Sequence, residues 1–379
     1  ITIIIYLNIY INIYMCGFTF IINYKNTNFR KKNKIFLKAL QDRGNDSCGE
    51  YHDDDISFFF QRLSIIDHEK GNQPLIDSSG RYIICFSGEI YNYIELRKEL
   101  ESLGSIFHTN SDTETILEGF KKKGENILLD LNGMFSFVIW DKKNKKAFIA
   151  RDRIGKKPLY WTKNNEFICF SNSLKSFDIF GLINKKNINL NSIYNFLIFN
   201  NDLNSNDFYY KNINKFPKSR YLYLKKDLVN NLKFIKYWQI NFKKRKGKIE
   251  DFLDEYEYLI TDAIKLRLRS DTEKAVAISG GVDSSTIANI VVNKLNSKVN
   301  FVNIDHEIYR TDTDSNDDPD KIIRYLNQKV KKIKLSNEEF VSYLNKSFEI
   351  TETPHSLYNN GLLYKLCEDV GSKSKILLT

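Results

Sequence analysis

Residues 279–285 read Ser-Gly-Gly-Val-Asp-Ser-Ser, and this string constrains the chain more than any other. Ahead of it, Ala275, Val276, Ala277 and Ile278 form a short apolar run with the branching of a buried strand. Behind it, residues 286–295 repeat apolar side chains at helical spacing: Ile287, Ile290, Val291 and Leu295. A strand, a tight glycine turn rich in hydroxyls and then a helix make a cradle for phosphate. Gly280 and Gly281 let the backbone approach an anion, successive N–H groups point into the turn, and the helix start carries partial positive charge. Ser279, Ser284 and Ser285 add hydroxyl donors. The string is not the Gly-x-x-x-x-Gly-Lys-Ser/Thr of the mononucleotide P-loop. The bland alternative is an ordinary turn capped by Ser and Asp.

The 379 residues suffice for two or three domains, each with its own core. The net charge of +10 is carried by Lys scattered among Asn, Ile and Tyr. The clusters at 30–34 and 243–248 fall in expected loops, so solvated surface, not nucleic-acid binding, is the reading. Five cysteines (Cys16, Cys48, Cys85, Cys169, Cys367) are odd in number and make no Cys-x-x-Cys pair or metal spacing with the five histidines. That argues for a reducing compartment, the cytoplasm, and against structural zinc.

Residues 1–14 contain only Ile, Tyr, Asn, Thr and Leu. The run is too short and too interrupted by Asn for a membrane span, and it has no secretory-signal pattern. Residues 1–15 are therefore expected to be an upstream extension, with Met15 the true start. Removal of Met15 would leave Cys16, followed by Gly17, as the first residue. A free α-amine, with an ordinary pKa of about 8, can accept the thiol proton without any His. The competing reading is a small buried hydrophobe.

With those residues in view, Ser-Gly-Gly-Val-Asp-Ser-Ser resembles the pyrophosphate loop of the ATP pyrophosphatases, and within them the asparagine synthetase family. Upstream strings point the same way. In order they are Gln61-Arg62-Leu63-Ser64-Ile65-Ile66-Asp67, Phe86-Ser87-Gly88-Glu89-Ile90-Tyr91-Asn92, Ser111-Asp112-Thr113-Glu114, Leu131-Asn132-Gly133-Met134-Phe135, and residues 150–160 from Ala150-Arg151-Asp152 to Lys157-Pro158-Leu159-Tyr160. Together they resemble the class II glutamine amidotransferase domain of that family, over residues 16–180. The resemblance implies an α/β fold. An αββα layered sandwich of the N-terminal-nucleophile hydrolase type spans 16–242 with its connecting segment, and an incomplete doubly wound ATP-pyrophosphatase domain spans 243–379.

The residue chemistry is compatible. Glutamine offers a carboxylate, an ammonium and an amide, so a selective site needs a cation, an anion and polar backbone groups. Arg62 can pair the carboxylate bidentately and Asp112 the ammonium. Glu89 stands beside the Gly88 turn. The resemblance assigns these positions to glutamine together with Leu63, Ser64, Ile65, Ile66 and Gly88. Each has a plainer alternative: Ser111 to Glu114 make a capping box, and Arg62 suits a surface strand. Ser87 stands where the family has Asn, whose amide donates to the oxyanion. Loss of such a donor costs about 10²–10³ in turnover, leaving the Gly88 N–H.

For the second domain the resemblance implies ATP contacts at Ile278, Ser279, Gly280, Gly281, Asp283, Ser284, Ser285 and Asn303. Magnesium on the phosphates, with Asp283 nearby, is implied as well, but no ligand set follows from the residues. Glu352-Thr353-Pro354 resembles the family's acceptor region. The family's second acidic, glycine-rich phosphate segment would follow Thr379, so the synthetase half is expected to be a fragment. Glutamine, aspartate and ATP are the implied substrates and a homodimer the implied assembly, with no nucleic-acid or membrane partner. The alternatives are an amidotransferase acting on another carboxylate, such as a sugar acid, and an inactive truncated relic.

Periodicity predicts strands over 81–86, 134–140, 299–304, 331–335 and 375–379. It predicts helices over 95–103, 112–120, 193–198, 252–268 and 321–330.

Overall fold

The computed structural model describes residues 15–25, 27–199, 208–226, 231–242, 244–306, 318–354, 357–371 and 373–379. Residues 1–14 of the expected 1–15 extension, and Lys243 in the expected charged break, lie outside them. The chain divides into two compact units. One holds Tyr14–Ile240 with Glu352–Pro354, the other Asn241–Thr351 with His355–Thr379.

In the first unit, strands are numbered in chain order. They are β1 (Gly17–Asn23), β2 (Ser47–His52), β3 (Ile56–Arg62), β4 (Leu75–Ile76), β5 (Tyr82–Ile90), β6 (Gly133–Asp141), β7 (Lys146–Arg151), β8 (Tyr160–Lys163), β9 (Phe167–Ser171), β10 (Asn214–Lys215), β11 (Arg220–Lys225) and β12 (Ile235–Lys236). They form two antiparallel six-stranded sheets, β10-β8-β9-β1-β3-β2 and β12-β11-β7-β6-β5-β4.

Strand β1 shows why the sheets stack. Its residues are aromatic, β-branched or small, and all seven are buried. Successive side chains leave opposite faces. Phe18, Phe20 and Ile22 join Ile83, Cys85, Val138, Trp140, Ile149 and Leu222 of the other sheet in one core. Ile21, from the opposite face, packs with Phe36, Leu40 and Phe177 of helical segments. On the second sheet the alternation repeats. Ile84 and Phe86 turn away from the inter-sheet core to meet Leu96, Ile116 and Leu117 of helices Tyr93–Ser102 and Asp112–Lys123. Helix, sheet, sheet, helix is the layer order, the αββα sandwich expected from the sequence. Each fully buried Phe or Ile contributes about 1.5–3 kcal/mol.

The second unit is built on a parallel sheet of β13 (Glu273–Ala277), β14 (Asn300–His306), β15 (Val330–Leu335) and β16 (Ser374–Leu378), in the order β15-β14-β13-β16. Helix Ile249–Arg267 buries Ile260 and Ile264 against it with Val276, Ile287 and Val291. One expectation is corrected here. The helix read over 321–330 ends at Leu326, because Asn327 takes the left-handed conformation (φ 49°, ψ 43°) and Val330 already begins β15. The helix after the glycine turn starts at Val282 and loosens into a π-helical turn at Ile290–Lys294. Among the described residues, no helix is long and apolar enough to cross a membrane.

Candidate active site

Cys16 immediately precedes β1, which pairs with β3 in a register that brings it alongside the end of β3. The Leu63 N–H donates to Cys16 Sγ at 3.3 Å, and the thiol donates to the Leu63 carbonyl at the same distance. Arg62 is the last residue of β3, Gly88 and Glu89 come from the end of β5, and Asp112 opens the helix Asp112–Lys123. Ser111 caps that helix by accepting the Glu114 N–H at 3.2 Å, so the capping reading holds for Ser111. It leaves Asp112 free to turn inward, where its carboxylate accepts the Ile90 N–H at 3.0 Å.

Cys16, Arg62, Leu63, Ile65, Ile66, Gly88, Glu89 and Asp112 therefore line one cavity. Ser64 and Ser87 do not line it. The Ser64 N–H donates to Asp46 Oδ2, and its hydroxyl pairs with His68 Nδ1 at 2.7 Å. Ser87 Oγ donates to the Cys16 carbonyl at 2.5 Å, fixing the nucleophile candidate's backbone. Sequence reasoning passed over Met15, Gly71, Gln73, Phe86 and Thr113, which complete the lining together with the capping Ser111. Gly71 carried the one available signal, a lone glycine in a polar run. A Cβ there would stand 2.4 Å from Arg62 Nη2.

Arg62 holds a surprise for the sequence reading. Its Nη1 donates to the His68 carbonyl (3.1 Å) and Asn72 Oδ1 (3.0 Å), and its Nη2 donates to the carbonyls of Ile66 (3.1 Å) and Asp67 (2.6 Å). The guanidinium fastens the loop that follows β3, so a ligand carboxylate must displace some of these bonds.

The cavity measures about 30 Å³. That is the volume of one water, not of an amino acid. Met15, 2% exposed, occupies one wall, and its sulfur receives a hydrogen bond from Lys157 Nζ. Burial dominates the electrostatics. It pushes the Cys16 thiol up to about 11, although the Leu63 N–H and the Arg62 charge act in the other direction. It raises the Asp112 carboxyl to about 6 against the pull of backbone N–H groups and Arg62. A thiol in this state is a poor nucleophile at neutral pH.

In the second unit the glycine turn is closed by its own hydroxyls. Ser279 Oγ and Ser284 Oγ lie 2.8 Å apart, Ser284 Oγ also accepts the Ser279 N–H at 3.1 Å, and the Gly281 N–H donates to Ser279 Oγ at 3.4 Å. Gly280 has φ +91°, and a Cβ there would meet the backbone of Asp318 and Pro319 at 2.7–2.9 Å, which requires glycine. Ser285 Oγ is buried with no hydrogen-bond partner among the described residues, and Asp283 lies in the first turn of the helix. Asn303 sits beneath the turn, its amide donating to the Ile278 carbonyl at 2.8 Å. Among the described residues, no group of three or more His, Cys, Asp or Glu is arranged to hold a metal.

A sandwich of two antiparallel sheets with a thiol at the start of its central strand, followed in the chain by a parallel sheet with a hydroxyl-lined glycine turn, has an amidotransferase-type architecture in its first unit. The family model described as "Glutamine amidotransferase domain" matches residues 15–238, and the chain belongs to that family. A second model, "Asparagine synthase", matches residues 255–379. Among curated relatives, "Asparagine synthetase [glutamine-hydrolyzing] 1" of Bacillus subtilis (strain 168) is 35% identical over 282 residues, covering 73% of this chain and 44% of that protein. "Putative asparagine synthetase [glutamine-hydrolyzing] 2" of Methanocaldococcus jannaschii is 34% identical over 300 residues, covering 73% and 57%. The chain thus spans about half the length of these relatives. A solved glutamine phosphoribosylpyrophosphate amidotransferase from B. subtilis aligns with TM-score 0.43 and 14% identity over 76% of this chain and 75% of that one, too loosely to bear on the site.

Proposed function

We propose that this chain carries out glutamine-dependent asparagine synthesis, with Cys16 as the nucleophile that frees ammonia from glutamine. The observation that carries the reading is the convergence of Cys16, Arg62, Glu89 and Asp112 on one small cavity. Removal of residues 1–15 vacates the wall that Met15 fills and exposes the Cys16 α-amine. The amine takes the thiol proton, the thiolate attacks the amide carbon, and ammonia leaves as the thioester forms. Water then releases glutamate. The Gly88 N–H supplies the oxyanion donor, while Ser87 steadies the Cys16 backbone instead of donating to the oxyanion, which lowers turnover. Asp112 pairs the substrate ammonium and Arg62 its carboxylate, after releasing loop carbonyls.

In the second unit, the turn at Ser279, Gly280, Gly281, Ser284 and Ser285 holds the ATP phosphates, bounded by Ile278 and Asn303. The β-carboxylate of aspartate attacks the α-phosphorus, pyrophosphate leaves, and ammonia displaces AMP from the acyl adenylate. Aspartate as acceptor follows the names of the relatives. The donor set fits magnesium held mainly by the phosphates, with Asp283 in the first turn of the helix a nearby carboxylate; the ion would neutralise phosphate charge. The five cysteines are free thiols, which fits a cytoplasmic protein, and a homodimer is the proposed assembly.

A glutaminase assay tests the reading. A chain beginning at Cys16 should release glutamate from glutamine, and Cys16→Ala should not. Activity untouched by Cys16→Ala removes the mechanism, and full activity with residues 1–15 retained removes the α-amine as base.

A further inference from the structure

Lys157 is the most deeply buried ammonium in the candidate site, 1% exposed, and neither the glutamine chemistry nor the cavity lining uses it. Its backbone is fastened on both sides. The Lys157 N–H donates to Asp152 Oδ2 at 2.9 Å, and Arg151 Nε donates to its carbonyl at 2.6 Å. The side chain ends on the Met15 sulfur, a weak acceptor. Among the described residues it forms no ion pair. The charged groups around it are Arg43, of like sign, with Asp152, Glu89 and the Cys16 thiol. Those around Cys16 are Arg62, Asp112 and Glu89. Asp152 offers little, because its oxygens already accept the N–H groups of Phe135, Ile154, Lys156 and Lys157. Burial and Arg43 accordingly lower the Lys157 pKa to about 7.

Met15 is bonded directly to the Cys16 nitrogen. Its loss deprives Lys157 of its contact and creates a new amine at the position to which Met15 was attached. The new amine then stands one residue from the side chain that Lys157 contacted, near enough for the two charges to oppose each other. The two amines take up a first proton between them, but a second only well below neutrality, since like charges at close range oppose each other.

We propose that Lys157 is a positioning residue for the amine base: in the chain beginning at Cys16, its charge competes with the α-amine for the single proton the pair tolerates and so keeps the base free. This rests on the reading of Cys16 as the first residue of the active chain. The α-amine takes the thiol proton; Lys157 touches neither glutamine nor the reacting sulfur.

The test is a titration of the Cys16 α-amine, labelled with ¹⁵N-cysteine and observed directly, in the parent, Lys157→Met and Lys157→Arg chains, each beginning at Cys16 and each checked for folding by circular dichroism. Lys157→Met keeps the volume and removes the charge, so the α-amine midpoint should rise by about one pH unit. Lys157→Arg locks the charge on and should lower it, rescuing the low midpoint that the Met variant loses. Equal midpoints in the three chains, or an Arg variant that follows the Met variant, overturn the proposal. Glutamine hydrolysis is scored separately. Shifted midpoints without hydrolysis uphold the role of Lys157 and sink the glutaminase reading, while hydrolysis with unshifted midpoints does the reverse.

Discussion

Replacing Asp112 by Asn separates the stability of the first unit from its proposed chemistry. Asp112 is 6% exposed, and burial raises its carboxyl from 3.8 to about 6. The folded pKa lies above the unfolded one, so the folded state holds this proton more tightly. Its contribution is most favourable below about pH 4 and is lost as pH rises through 6. A rise of about two units corresponds to roughly 3 kcal/mol of destabilisation at pH 8, as an upper bound. Asn keeps a carbonyl oxygen for the Ile90 N–H, which now bonds at 3.0 Å, and removes the buried charge. Asp112→Asn should therefore be more stable than the parent at pH 8, by up to about 3 kcal/mol, and equal to it near pH 4. The same change deprives a substrate ammonium of its partner and should raise the glutamine KM at least about tenfold. Urea titrations at pH 4, 6 and 8, beside glutaminase kinetics at pH 8, measure both. A variant no more stable than the parent at pH 8 refutes the burial argument, and an unchanged KM refutes the assignment to the ammonium.

Two further substitutions test the frame that holds the site. Gly88 has φ +154°, and a Cβ there would stand 2.1 Å from the Met134 carbonyl oxygen and 2.8 Å from Phe135 Cα, both backbone atoms of β6. Gly88→Ala should cost about 2–4 kcal/mol and abolish glutamine hydrolysis; thermal melts within a degree of the parent would contradict this. Phe20 is fully buried, with its ring 4.6 Å from that of Phe58 and 6.4 Å from that of Trp140. Phe20→Ala should lower stability by about 3–5 kcal/mol, read from the denaturation midpoint. A loss under about 1 kcal/mol would mean that the inter-sheet core is not the main support of the sandwich.

Much of this was legible in the linear chain because its signals are local. The branched run Ala275 to Ile278 before two glycines announces a strand and turn, and the structure places β13 and the Gly280 bend there. The apolar stretches 81–86 and 134–140 likewise announce strands, and β5 and β6 lie there. What the chain could not reveal were choices among competing partners. Arg62 has the right type and place for a carboxylate, yet four nearby acceptors claim its terminal nitrogens. Ser87 reads as a shortened oxyanion donor, but the Cys16 carbonyl, 71 residues away in sequence, takes its proton. Lys157 reads as one more lysine in a basic chain, and only the meeting of residues 142 positions apart sets its ammonium on the Met15 sulfur. The misplaced end of the helix at Leu326 has a different cause. Apolar spacing runs on through Val330, while the stop is made by one Asn in a left-handed turn.

The central claim is that Cys16, freed at the start of the polypeptide, attacks glutamine. The most direct measurement is the mass of the N-terminal peptide after the chain beginning at Cys16 is mixed with glutamine and quenched in acid, where thioesters survive. A γ-glutamyl adduct on the Cys16 peptide, absent from Cys16→Ala, is the predicted result. Glutamate release with no adduct on that peptide, or an equal adduct on another cysteine, would contradict it.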